Sequence, residues 1–181
     1  MGVAPWYQTS VLPRDDVYYD FHDANPDAEE CCFVMPMELE KLEGMNVIDY
    51  LRSYTQINVR REQMYDRIYN KWSSEAGLKT EHILPAMREI VACDVTDGHV
   101  ALIFKMVGIK PEEETEVDSH TFRLICAAAE RVIFSKLLKE GGAPCALRPM
   151  LEIAEFQRFL RDYNRLKLRP ELEKFLDLIT I

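Results

Sequence analysis

Glycine and proline are scarce, seven and nine residues in 181, and no low-complexity tract is present, which excludes collagen-like and wholesale disordered chains. No apolar run approaches the roughly 18 to 20 residues that a membrane-spanning helix needs. The first residues carry acids and prolines where a secretory signal needs a basic start and an apolar stretch. The expectation is therefore a protein that is neither secreted nor membrane-spanning. Met1-Gly2 opens like a myristoylation signal, but Trp6 stands where that signal wants Ser or Thr, and lipidation is discounted.

The five cysteines, Cys31, Cys32, Cys93, Cys126 and Cys145, form no CxxC pair and no metal-type spacing with His22, His82, His99 and His120. They read as reduced thiols, Cys93 and Cys126 as small hydrophobes on apolar helix faces, and Cys145 as the one thiol to test for reactivity. A glycine-rich phosphate loop and a nucleophile elbow are also missing, so neither enzymatic chemistry nor a cofactor is expected. Basic charge is in deficit: a formal net charge of −9 disfavours nucleic acid as the main partner. Arg60-Arg61 and the Arg165 to Arg169 run read as solvated helix faces.

What is present is helical periodicity. Residues 1–36 contain Pro5, Pro13, Pro26 and Pro36 and read as an extended acidic and aromatic segment. Trp6, Tyr18, Tyr19 and Phe21 within it suit anchors for a groove on a partner, or pack back on the chain's own core; both readings stay open. From Met37, the apolar spacing of Leu39, Leu42, Met45 and Val47 to Leu51 predicts an N-terminal helix within 37–58, weakened at Gly44. Met64, Tyr65, Ile68, Tyr69 and Trp72 form the stripe of a second helix that starts near Arg60 and stops at Ser73-Ser74. A third is predicted from Thr80, as its N-cap, to Cys93; a fourth over about 99–109; and a fifth from Ser119, as a cap, to about Lys139. Two C-terminal helices follow within 145–181, over about 147–166 and 170–179, the second opening on Pro170 at a first-turn position.

The stretch Leu102 to Ile125 places Leu102, Met106 and Ile109 ahead of a loop that begins at Lys110, with Val117 eight positions into it and Phe122 just after it. This pattern resembles an EF-hand, whose 12-residue loop carries an apolar bridge residue at its eighth position. Upstream, Tyr65, Tyr69 and Trp72 precede the loop from Ser73 to His82, with Ile83 and Met87 after it, which resembles a partner hand whose bridge residue is Leu78. The resemblance covers residues 60–138. It implies an all-α fold of paired degenerate EF-hands, with an extended N-terminal segment and additional C-terminal helices.

The resemblance also implies what is lost. Calcium coordination needs oxygens at loop positions one, three, five and twelve and Gly at six, where this chain has Lys110, Glu112, Glu114, Thr121 and Thr115. The first loop is about two residues short of the standard length and ends on His82. No metal is expected, with Glu112, Glu114 and Asp118 as weak candidates. The family's apolar groove accepts an amphipathic helix, so the resemblance implies a non-enzymatic adaptor or structural module that binds a partner helix or larger assembly independently of calcium. The alternatives are a weak calcium sensor and an unrelated helical-bundle interaction protein. Leu172, Phe175, Leu176 and Ile179 share one face of the last helix, which makes that helix a partner-binding surface or a plug for the groove. The expected location is cytoplasmic, and a cilium or flagellum is suggested by family analogy alone.

Overall fold

A computed structural model describes residues 31–91, 95–110, 116–141 and 150–180, with side chains up to residue 133 in the third stretch and from residue 151 in the fourth. It is mostly helical. The elements run β1 (Cys32–Phe33), a 3-10 turn (Leu39–Leu42), α1 (Val47–Tyr54), β2 (Thr55–Gln56), α2 (Val59–Trp72), β3 (Leu78–Lys79) and α3 (Thr80–Ile90). Then come α4 (Asp97–Val107), β4 (Glu116–Val117), α5 (Ser119–Gly141), α6 (Met150–Asp162), a second 3-10 turn (Tyr163–Arg165) and α7 (Pro170–Ile179). Among the described residues no helix is long and apolar enough to cross a membrane.

Short polar side chains set most helix starts. The Asn46 side chain accepts the Asp49 N–H at 2.8 Å to open α1, and that of Asn58 accepts the Arg60 N–H at 2.8 Å to open α2. Thr96 and His99 cap α4 reciprocally, each side chain accepting the other's backbone N–H. The helix expected from Met37 onward is split: Gly44 takes φ +75°, and Leu39–Leu42 forms only a 3-10 turn before α1. The N-cap of α3 is Lys79, with Thr80 already helical, and the helix ends at Ile90, short of the predicted Cys93.

The core is built around α5, which touches α1, α2, α4 and α7. Consecutive Leu124, Ile125, Cys126, Ala127, Ala128 and Ala129 are all buried. A helix covered on every side shows no single apolar stripe, and the alanine run lets neighbouring backbones approach closely. Residues 31–35, the end of the segment that the sequence reads as extended over 1–36, are buried in this core. They are extended as expected, but Cys32 pairs with Gln56 and Phe33 with Thr55 in an antiparallel ladder.

Candidate functional site

Two helix–loop–helix units lie side by side, α2–β3–α3 and α4–β4–α5. Their loops meet in an antiparallel pair in which Leu78 faces Val117 and Lys79 faces Glu116. Tyr69 braces this bridge from α2: its hydroxyl donates to the Val117 carbonyl at 3.1 Å, and its ring lies 5.6 Å from that of Phe122. Gly77 is required beside it. Its φ is +135°, and an added Cβ would meet the Val117 carbonyl oxygen at 3.2 Å and the Glu116 Cβ at 3.3 Å. The positions that the frame assigns to the interior are covered: Tyr65, Leu78, Ile83, Met87, Met106, Val117 and Phe122 are buried, and Leu102, Ile109, Tyr69 and Trp72 are partly buried against the core.

Several loop oxygens are engaged in hydrogen bonds within the loops. In the first loop, Ser74 and Gly77 exchange both backbone hydrogen bonds, at 2.9 and 3.2 Å, and the Ser74 hydroxyl donates to the Gly77 carbonyl. In the second, the Asp118 carboxylate accepts the Thr121 N–H at 2.8 Å and the Thr121 hydroxyl at 2.9 Å. It stands at the N-cap of α5, the role expected of Ser119, whose hydroxyl instead reaches Asp66 on α2 at 3.1 Å. Burial pushes the Asp118 pKa up, but the two Thr121 hydrogen bonds, together with nearby positive charge, bring it below its ordinary value. Glu112 and Glu114 lie outside the described residues, and among the described ones no group of three His, Cys, Asp or Glu side chains could hold a metal ion.

The sequence-predicted partner residues divide in two. Trp6, Tyr18, Tyr19 and Phe21 lie outside the described residues, as do Cys93 and Cys145. Leu172, Phe175 and Leu176 are fully buried, with α7 packed against α1, α4 and α5. Phe175 sets its ring 6.2 Å from Phe33 and 6.0 Å from Tyr50. Of the two roles read for this face, partner surface and plug, the geometry places it inside the chain's own core, where a partner has no access to it.

Sequence reasoning missed a polar clamp. The hydrogen bonds that grip the segment 31–37 run almost wholly through its main chain. Arg131 on α5 donates to the Cys31 carbonyl at 2.9 Å; Glu152 and Glu155 on α6 accept the Phe33 and Met35 N–H groups at 3.2 and 2.8 Å. Arg158 donates to the Pro36 and Met37 carbonyls, both at 2.6 Å. From the other side the Val34 N–H reaches the Tyr54 carbonyl at 2.9 Å, and the Tyr50 hydroxyl donates to the Val34 carbonyl at 3.1 Å. Glu152 is itself buried and forms a two-pronged pair with Arg131 at 2.6 and 3.2 Å. The spacing of Glu152, Glu155 and Arg158 at every third residue is the one sequence signal, and it also fits a solvated helix face.

Burial holds the Glu155 carboxyl above its ordinary pKa, against the opposite pull of the Met35 N–H and of Arg158. The folded protein therefore binds this proton more tightly than the unfolded chain does. The stability this group contributes is complete below the unfolded carboxylate value, about 4.3, and is lost as pH rises through the folded one. Melting temperatures of the wild type and Glu155→Gln across this range test the sign. The wild-type advantage should shrink as pH rises, and a constant or growing difference contradicts the assignment.

Beside the clamp, the Tyr65 hydroxyl donates to Glu130, which also pairs with Arg61 at 3.2 Å. The Cys31 sulfur lies 3.7 Å from the same hydroxyl, and burial pushes its thiol up to about 11, so it is a poor nucleophile at neutral pH. Compared with known proteins, the chain matches no protein-family model, no curated sequence and no solved structure.

Proposed function

We propose that the chain is a non-enzymatic protein-binding adaptor or structural module, built on a degenerate EF-hand pair, that engages a partner helix or a larger assembly without calcium. The observation that carries this reading is the antiparallel bridge of Leu78 with Val117, which joins two helix–loop–helix units whose Ser74, Gly77 and Asp118 oxygens are already hydrogen bonded. A loop pair closed in this way holds its helices in one arrangement with no cation to switch them. With α7 seated against α1, α4 and α5, the partner meets a surface other than the face of Leu172, Phe175 and Leu176. A cytoplasmic location, in a cilium or flagellum, rests on the family analogy and belongs to the same proposal.

Thermal unfolding of the full chain in millimolar calcium and in chelator tests the calcium reading. A sensor-type site with a Kd of 10⁻⁵ M or tighter would add about 2.7 kcal/mol at a hundredfold excess of ligand, which is a shift of several degrees. The expected shift is below about 1 °C. Capture from a cell lysate under the same two conditions should retain the same proteins. Retention confined to calcium would replace the adaptor with a sensor.

A further inference from the structure

Residues 31–42 form an arm held from two sides. Side chains of α5 and α6 grip its backbone on one side, and β2 and Tyr50 grip it on the other. Phe33, Leu39 and Leu42 bury their side chains in the core, and the Arg131 guanidinium lies 5.0 Å from the centre of the Phe33 ring. The hinge that joins this arm to α1 is slight by comparison. Glu43 and Gly44 are exposed and Met45 is half-buried. Two local bonds cross the hinge, from the Glu43 N–H to the Glu40 carbonyl at 3.0 Å and from the Met45 N–H to the Leu42 carbonyl at 3.2 Å, and the Glu43 carboxylate accepts the Lys167 N–H at 2.9 Å. Gly44 turns the chain with φ +75°, and an added Cβ would meet nothing within 4 Å. The course of the arm is therefore set at that point by backbone conformation and not by packing.

We propose that the chain exchanges this arm with a second copy of itself, residues 31–42 of each copy filling the slot between α6 and β2 of the other. The slot selects its occupant twice over. Main-chain hydrogen bonds hold an extended segment of any sequence, but the fully buried Phe33 and Leu42 need side chains of that size in that order, and a second copy supplies both. Exchange keeps the contacts of the arm and alters only the hinge, so two copies close into a symmetric pair at little cost. The tether opposes it: a short link holds the arm beside its own slot at an effective concentration on the order of millimolar. Gly44 is where that advantage can be removed, because a residue that cannot take its left-handed φ cannot make the turn. The exchange goes beyond the adaptor reading and does not depend on it.

Light scattering of the full chain, refolded from denaturant at about 10 μM and at about 1 mM, tests this. Wild type should be monomeric at the lower concentration and partly dimeric at the higher. Gly44→Ala, strained at this φ, should favour the dimer about fivefold. Gly44→Pro, whose ring fixes φ near about −65°, should be dimeric already at about 10 μM, with circular dichroism showing it folded. Adding Arg158→Ala to Gly44→Pro should weaken that dimer roughly tenfold or more, because each slot then loses its bonds to the Pro36 and Met37 carbonyls. In native mass spectrometry, heavy- and light-isotope chains should form mixed dimers when refolded together and should stay unmixed when folded dimers are combined. A folded Gly44→Pro variant that remains monomeric at about 1 mM overturns the proposal. So does a dimer that Arg158→Ala leaves unchanged, or one whose folded chains mix within minutes. If Gly44→Pro does not fold, wild type decides: no dimer after refolding at about 1 mM overturns the exchange.

Discussion

Glu152→Ala is expected to destabilise the fold by about 3–5 kcal/mol, the range for breaking a buried ion pair by removing one partner. Two groups lose their acceptor together. The Arg131 side chain, 11% exposed, keeps its charge but loses the carboxylate, and the buried Phe33 N–H loses the oxygen it donates to. For a chain of this size the loss corresponds to a fall in Tm of roughly 10 °C. Glu152→Gln retains an oxygen for the Phe33 N–H and should lose less. Because the clamp joins α6 to the 31–37 segment, amide exchange should quicken at Phe33 and Met35 before it does in α5. A drop in Tm of under about 2 °C in the alanine variant would show that the pair is not the fastening the geometry describes.

Phe175→Ala carries the second large effect, about 3–5 kcal/mol for emptying a buried aromatic site. The ring is fully buried between Phe33 and Tyr50, so its loss loosens α7, α1 and the N-terminal strand together. The alternative role for this face predicts the opposite pattern. A partner-facing phenylalanine would cost little stability and much binding. Chemical denaturation of the variant beside a capture experiment separates the two: a stability loss below about 1 kcal/mol with abolished capture would return the face to a partner.

Local signals made much of this fold legible. Pro170 with Leu172, Phe175, Leu176 and Ile179 defines α7 to the residue, because a first-turn proline and a clean apolar stripe agree. The spacing around Leu78 and Val117 anticipates their pairing, since a similar frame of apolar positions recurs around both loops. Caps were less readable. Asp118 and Ser119 are both good capping residues, and only the packing of α5 on α2, which draws Ser119 to Asp66, decides between them.

The clamp was beyond sequence reasoning for a different reason. β1 and β2 are two residues each, too short for alternation to register. The placement of β1 depends on Glu152, Glu155 and Arg158, more than a hundred positions away, and charged side chains at helical spacing look alike whether they face water or a neighbouring backbone.

The distance along the chain between β1 and α6 also bears on biosynthesis. Phe33 and Glu152 are 119 residues apart, and Pro36 and Arg158 are 122 apart. A ribosome adding about 5–20 residues per second needs about 6–24 s to make that interval. Throughout it, the strand's outer N–H groups are exposed as an open edge of the kind that pairs with other chains. The N-terminal strand is thus made first and completed last, and a chain that stalls before Glu152 presents that edge to its neighbours.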